Sequence, residues 1–191
     1  GRIVWSSATL AHFSNRTAVT DRNGDGIDDL VLVSNDIYGV YSGKDGKALV
    51  GPMPVRSLGG DLHATPIVAP DGSVTLVSRG TLAKATLGGK GLWSVDRGVE
   101  RTHDSLLVGM AEGADGRVLR VGGNFGPGDR FVAYDYATGR VLFTTPHVAM
   151  TDVNTADTDG DGVDEFIFGT VDGRVVALRS DTGLEVWSVD V

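Results

Sequence analysis

Two stretches of the chain combine oxygen-bearing side chains with glycine at a spacing that suits a hard cation. Residues 21–29 read DRNGDGIDD, residues 157–165 read DTDGDGVDE, and an apolar run follows each of them. Both place oxygen side chains at loop positions 1, 3, 5 and 9 and glycine at position 6. Calcium takes roughly six to eight oxygen ligands, and a tight loop of alternating ligands can supply them. Both stretches therefore predict a Ca²⁺ site.

The two loops predict the same kinds of ligand. Position 12, where an EF-hand carries its closing glutamate, is Leu32 in one and Phe168 in the other, so closure must come from position 9. Asp28 and Asp164 lie between ligands and are expected to point to solvent. The alternative, a pair of acidic turns without metal, explains the glycines but not the crowded carboxylates. The predicted ligands are Asp21, Asn23, Asp25, the Ile27 carbonyl and Asp29 in the first loop, and Asp157, Asp159, Asp161, the Val163 carbonyl and Glu165 in the second.

Composition narrows the classes of function. The 191 residues carry a net charge of −8, and two bound Ca²⁺ ions would reduce it to about −4. Basic residues are scattered, which argues against nucleic acid as a partner, and the absence of cysteine excludes disulfides, cysteine-bound zinc and thiol catalysis. No apolar run is long enough to span a membrane. Because the chain starts without Met, we expect a processed product or an excised piece.

A repeat runs along the whole chain. A glycine followed by a large apolar residue recurs at Trp5, Val50, Trp93, Phe143 and Trp187, at intervals of 45, 43, 50 and 44 residues. Short strand patterns and turns lie between these positions, which is typical of four-stranded propeller blades. The predicted fold is an all-β β-propeller of four four-stranded blades, closed as four or forming a sector of a larger ring. The blades are predicted at roughly residues 8–50, 60–95, 103–145 and 150–191, with an extra outer strand at 1–7.

Two family resemblances follow from these motifs. Residues 132–143 and 177–187 resemble the blade signature of quinoprotein (PQQ)-like propellers, and this resemblance covers essentially the whole chain. The acidic loops with their strands resemble FG-GAP/VCBS-type calcium-binding propellers, in blades one and four only. The latter resemblance implies that Ca²⁺ braces a blade. The middle blades have plain turns at the same place, Asp71-Gly72 and Asp115-Gly116, which are expected to be metal-free.

The four histidines occupy the same place in the repeat. Each precedes the first strand of a blade, where a closed four-bladed ring would bring the imidazoles to one mouth as a transition-metal or anion site. The favoured interpretation is a structural hydrogen bond that locks each blade to the next. The residues are His12, His63, His103 and His147.

These observations favour a calcium-stabilised binding or interaction module, secreted or on the cell surface, for a protein or carbohydrate ligand. An enzyme is the competing class. The alternative is the propeller of a polysaccharide lyase or related carbohydrate-active enzyme, because rhamnogalacturonan-type lyases resemble this chain in their calcium loops. A quinone-dependent oxidoreductase, implied by the quinoprotein resemblance, comes third. A homodimer would complete a larger ring.

Overall fold

The computed structural model describes residues 3–6, 17–33, 37–54, 66–77, 81–96, 108–113, 119–124 and 126–191. Its strands form four four-stranded sheets in which neighbouring strands are antiparallel and follow one another along the chain. The chain divides into two compact units, Gly1–Asp96 and Arg97–Val191, with two sheets in each. Within the described ranges, no helix has the length and apolar character needed to cross a membrane.

The first unit contains blades one and two. β-Branched and aromatic residues are frequent in the second and third strands of blade one, DLVLV and IYGVY, which favours strands over helix. Blade one consists of β1 (Thr17–Thr20), β2 (Asp29–Val33), β3 (Ile37–Tyr41) and β4 (Ala48–Pro54), and blade two of β5 (Ile67–Val68), β6 (Ser73–Val77), β7 (Thr81–Thr86) and β8 (Gly91–Asp96).

The second unit repeats this arrangement in blades three and four. Each sheet is again a meander, as the repeat predicts. Blade three consists of β9 (Val108–Glu112), β10 (Leu119–Asn124), β11 (Phe131–Asp135) and β12 (Val141–Thr144), and blade four of β13 (Asn154–Ala156), β14 (Glu165–Gly169), β15 (Arg174–Arg179) and β16 (Glu185–Asp190).

Each unit has an apolar core between its two sheets. In the second unit Phe131 of blade three stacks on Phe168 of blade four, with centroids 4.6 Å apart, and lies against Phe166 at 5.3 Å. Gly122 permits this packing, because a Cβ there would lie 2.5 Å from the Phe131 ring. The core cluster of the first unit consists of aliphatic residues and a tyrosine: Val31, Val33, Tyr38, Val40, Val74, Leu76 and Ala85.

The extra outer strand predicted at residues 1–7 is not observed over residues 3–6, which belong to no strand. This segment is held through a side chain instead of a backbone ladder. The Trp5 indole donates to the Gly43 carbonyl at 2.8 Å and covers Gly46, where a Cβ would meet the ring at 2.6 Å. The contact requires glycine, and Gly46 also has a left-handed φ of 71°.

The same packing recurs in each unit. Phe143 of blade three covers Gly183 in the last turn of blade four, where a Cβ would lie 2.5 Å from the ring. In blade one this role falls to Met53, which covers Gly89, instead of the Val50 that the repeat indicates. The register of β3 and β4 shifts near Val50, which moves the covering residue along the strand.

Candidate metal centres

The first acidic loop joins β1 to β2 and is organised by its own acidic side chains. Asp21 accepts the N–H groups of Gly24 and Gly26, both at 2.8 Å. Asn23 and Asp25 each accept the amide two residues further on, at 2.9 and 3.0 Å. These backbone donors, that of Gly26 above all, hold the pKa of the Asp21 carboxyl below its usual range.

The second loop joins β13 to β14 and repeats this pattern. Asp157 accepts from Gly160 and Gly162 at 2.7 and 2.9 Å, and Asp159 and Asp161 accept amides at 3.1 and 2.8 Å. The glycines at positions 4 and 6 have left-handed φ angles in both loops, between 77° and 85°. Similar loop sequences thus adopt the same local structure, because in each loop the carboxylates bind the N–H groups of the same turns.

The closing residue of the first loop is fully engaged by backbone donors. Asp29 is completely buried at the start of β2. Its Oδ2 accepts the N–H of Arg22 at 2.9 Å, and its Oδ1 accepts the N–H of Gly43 at 3.1 Å. Asp29 therefore ties the loop to the turn between β3 and β4 with or without a cation.

The closing residue of the second loop is only half engaged. Glu165 is also completely buried, and its Oε2 accepts from the Thr158 amide and hydroxyl at 2.7 and 2.6 Å. Its Oε1 is buried and has no hydrogen-bond partner among the described residues. A buried polar atom without a partner costs on the order of 1–3 kcal/mol, and more if it is charged.

Three carboxylates converge at the second loop. One oxygen from each of Asp157, Asp159 and Glu165 lies within 4.8 Å of the others. Such a group repels itself in the absence of a cation, and an all-oxygen donor set suits Ca²⁺ or Mg²⁺. The residues therefore fit a hard cation, and the buried Oε1 of Glu165, without a hydrogen-bond partner among the described residues, is available as an oxygen donor.

Two predicted ligands of the second loop, Asp161 at position 5 and the Val163 carbonyl at position 7, do not belong to this group of three carboxylates. Asp161 instead forms a salt bridge with Arg179, between Asp161 Oδ2 and Arg179 Nη1. Val163 is half-buried and donates its N–H to Asp161, as the exposed Ile27 does to Asp25 in the first loop. Among the described residues, the carboxylates of the first loop form no comparable converging group, and Asn23 stands where the second loop has Asp159.

Sequence reasoning misplaced one residue of the second loop and missed three others. Asp164 does not point freely to solvent: its Oδ2 accepts the N–H of Glu112 at 2.9 Å, because this residue of β9 presents an amide beside the loop. The missed residues are Arg179, Thr158 and Trp187. Only Arg179 had a usable signal, since strand register places it opposite Glu165.

In blade two, a lysine ammonium lies at the turn that corresponds to the acidic loops. The Asp71 carboxylate accepts from the Ser73 amide at 2.9 Å and from the Ser73 hydroxyl. Lys84, whose side chain is 8% exposed, places Nζ 3.0 Å from Asp71 Oδ2. The chain itself thus supplies the positive charge at this turn. The corresponding Asp115-Gly116 turn lies outside the described residues.

His147 lies away from the first strand of its blade. Its Nε2 is 3.6 Å from Glu185 Oε2 on β16, the edge strand opposite β13. At 3.6 Å this is an ion-pair distance and not the predicted hydrogen bond, so both the structural interpretation and the histidine ring stay predictions. His12, His63 and His103 lie outside the described residues.

Comparisons with known proteins bear on the fold alone. No family model and no curated protein matches the chain. The biofilm matrix protein Bap1 of V. cholerae matches 100% of the chain at 19% identity and a TM-score of 0.60. BBS1N, solved in complex with ARL6DN, matches 94% of the chain at 12% identity and a TM-score of 0.64. The Neurospora crassa Pan2 WD40 domain matches 92% of the chain at 15% identity and a TM-score of 0.57.

These similarities define the class of protein. WD40 domains are β-propellers, so the four meandering sheets are propeller blades, and the predicted all-β fold is confirmed. The chain spans 34%, 54% and 50% of the lengths of these three structures. The finer resemblance to FG-GAP/VCBS and quinoprotein-like propellers stays a prediction.

Proposed function

We propose that the protein is an interaction module on a propeller scaffold, stabilised by Ca²⁺ in blade four and, more weakly, in blade one. The observation that carries this proposal is the buried Oε1 of Glu165, which has no hydrogen-bond partner among the described residues and belongs to a cluster of three carboxylates. A divalent cation supplies the missing interaction and offsets the repulsion between the carboxylates.

In blade four the ion would brace neighbouring strands. Asp157 directly follows β13 and Glu165 begins β14, so a cation between them ties the two strands together. Thr158, which binds Glu165, also accepts the Trp187 indole N–H at 3.0 Å from the edge strand β16. Asp164 joins the same loop to β9 of blade three. Calcium at this loop would therefore stabilise contacts that reach two further strands, β16 and β9.

In blade one the support is weaker. Asp29 already has a backbone donor on each oxygen, so a cation there adds to a loop that is closed without it. We propose lower affinity at Asp21, Asn23, Asp25 and Asp29 than at the second loop. The ion would again join consecutive strands, β1 and β2.

A bracing role accords with binding to a protein or carbohydrate ligand, since the ion would fix loops without itself performing chemistry. BBS1N, one of the similar structures, was solved with a partner protein. We place the protein outside the cell because extracellular sites with dissociation constants of roughly 10⁻⁴–10⁻³ M are filled by the calcium there. The lyase, oxidoreductase and homodimer hypotheses stay predictions, and no contact among the described residues favours any of them specifically.

A thermal melt tests the proposal. The chain stripped with EDTA should gain stability on adding Ca²⁺, by about 2.7 kcal/mol at a free concentration a hundredfold above the dissociation constant. Glu165→Gln should abolish most of this gain. The matched control is Glu185→Gln, because Glu185 lies in the same blade but pairs with Arg174 and not with the loop. An unchanged melting temperature of the wild-type chain in Ca²⁺ would refute the proposal.

A further inference from the structure

Arg179 lies at the edge of the second loop and joins it to the turn between β15 and β16. It ends β15, where strand register places it opposite Glu165. Its guanidinium pairs through Nη1 with Asp161 Oδ2 and through Nε and Nη2 with Asp181, at 3.0 and 3.2 Å. A guanidinium stays protonated throughout the physiological pH range, so Arg179 places a permanent positive charge at this edge of the loop.

This contact occupies the position-5 ligand of the loop. Asp161 Oδ1 accepts the Val163 N–H at 2.8 Å, and Oδ2 is held by the guanidinium. The other acidic ligands, Asp157, Asp159 and Glu165, form the cluster without it. Arg179 thus pairs with Asp161, the predicted carboxylate ligand of the second loop that does not belong to the cluster. It places a positive charge directly beside a predicted Ca²⁺ ligand.

We propose that Arg179 is an internal competitor that sets the cation affinity of the second loop. The inference rests on the proposed calcium function. When Ca²⁺ enters, Asp161 exchanges the guanidinium for the ion, and Arg179 remains paired with Asp181. The paired Asp181 makes the exchange feasible, since without it the arginine would lose every partner that the structure gives it.

Among the described residues, no basic side chain forms a salt bridge with an acidic side chain of the first loop. Leu30 pairs with Tyr41 as Phe166 pairs with Leu178, so Ser42 occupies the place of Arg179. A serine carries no charge. The competition is therefore specific to blade four and provides an internal reference in the same molecule.

Calorimetric titration of the full chain with Ca²⁺ tests the inference, with the amide NMR signals of Gly162 and Gly26 reporting the two loops separately. Arg179→Gln should tighten binding at the Gly162 loop on the order of tenfold, by removing the repulsion between a guanidinium and a divalent ion a few ångströms apart. The Gly26 loop should not change. Arg174→Gln is the matched control, because Arg174 begins the same strand and pairs with Glu185 instead.

A second variant tests the role of Asp181. Asp181→Asn should weaken binding at the second loop, because Arg179 is then left with Asp161 as its only carboxylate partner. The loss should disappear in the Arg179→Gln background, whereas a simple effect of the lost negative charge would persist there. Persistence would overturn the exchange mechanism.

The outcomes separate the inference from the proposed function. If the wild-type chain binds Ca²⁺ at the Gly162 loop and Arg179→Gln leaves its affinity unchanged, the competitor hypothesis is wrong and the calcium proposal stands. If neither the wild type nor Arg179→Gln shifts the Gly162 signal in Ca²⁺, both are wrong. Tighter binding in Arg179→Gln, with Arg174→Gln unchanged, supports both.

Discussion

The two acidic loops have nearly the same sequence and the same backbone hydrogen bonds, yet they differ in what they leave unsatisfied. Asp29 uses both oxygens on the N–H groups of Arg22 and Gly43. Glu165 uses one oxygen on Thr158 and buries the other without a partner among the described residues. The first loop is thus closed by its own backbone, whereas in the proposed function the second loop is completed by a cation.

Blade two extends the comparison to a turn without the motif. There the Asp71 carboxylate meets the ammonium of Lys84, a charge that is covalently part of the chain. The second loop in blade four has more acidic side chains than neighbouring bases: among the described residues, Arg179 pairs with Asp161 of the loop and with Asp181 beyond it. In blade two the positive charge at this turn therefore comes from the chain itself, whereas in the proposed function it comes from a bound ion in blade four.

The largest expected effect follows from Glu165→Gln, which should change sign with calcium. In EDTA the variant should be more stable than the wild type, because the substitution removes one negative charge from the cluster of three carboxylates while the amide oxygen can still accept from Thr158. In saturating Ca²⁺ it should be less stable, because the ligand is lost. Chemical denaturation in both buffers measures this crossover. If the variant is destabilised equally in EDTA and Ca²⁺, the comparison between the loops fails.

A smaller effect is expected from Glu165→Asp, which gives the second loop the closing residue of the first. The shorter carboxylate cannot serve both Thr158 and the cation cluster, so Ca²⁺ affinity should fall about tenfold, the equivalent of one charge-assisted contact. Calorimetric titration measures it, and Glu185→Asp is the control. An affinity equal to that of the wild type would show that side-chain length does not distinguish the loops.

The turn of blade two, where Lys84 pairs with Asp71, predicts that the stability of the fold depends on pH. Burial raises the pKa of Asp71, but the hydrogen bonds from Ser73 and Lys84 outweigh it and hold the pKa below its usual value. A carboxyl whose pKa is lowered by folding stabilises the fold above its unfolded pKa, about 3.9, and loses that contribution as pH falls through the folded value. Asp71→Asn should therefore reduce stability near neutral pH, and the difference should shrink below about pH 4.

Urea denaturation between neutral and acidic pH checks this prediction. In a Lys84→Met background the effect of Asp71→Asn should be smaller, since the ammonium that favours the ionised carboxylate is gone. If the difference in unfolding free energy between the wild type and Asp71→Asn grew on acidification, a lowered pKa of Asp71 in the folded state would be contradicted.

The smallest effect is expected at the indole that supports the second loop. Trp187→Phe removes the N–H donated to Thr158 Oγ1 and should cost about 0.5–1.5 kcal/mol, the usual net value of one hydrogen bond. It should also slightly weaken calcium binding at Glu165. Trp5→Phe, which loses a similar bond to the Gly43 carbonyl, is the matched variant and should leave the second loop unaffected. Thermal melts with and without Ca²⁺ distinguish the two.

Much of the fold could be read from local patterns. The turn glycines, the β-branched runs and the recurring spacing predicted the strands of each blade, because short antiparallel meanders are encoded by neighbouring residues. The predicted strand at residues 1–7 was wrong over residues 3–6, since an isolated apolar segment reads as a strand whether or not a ladder partner exists. Met53 replaced Val50 for a similar reason, a register shift that no spacing reveals.

The sequence by itself determined the two loops, their backbone hydrogen bonds and the kind of cation they suit, because these depend on residues within nine positions of one another. Only the tertiary structure decided how the carboxylates are used. Gly43 satisfies Asp29, and Arg179 engages Asp161, each from a strand or turn more than ten residues away. Charge compensation depends on which groups lie close together in the folded chain, so the two similar loops differ because of neighbouring residues that lie outside both loops.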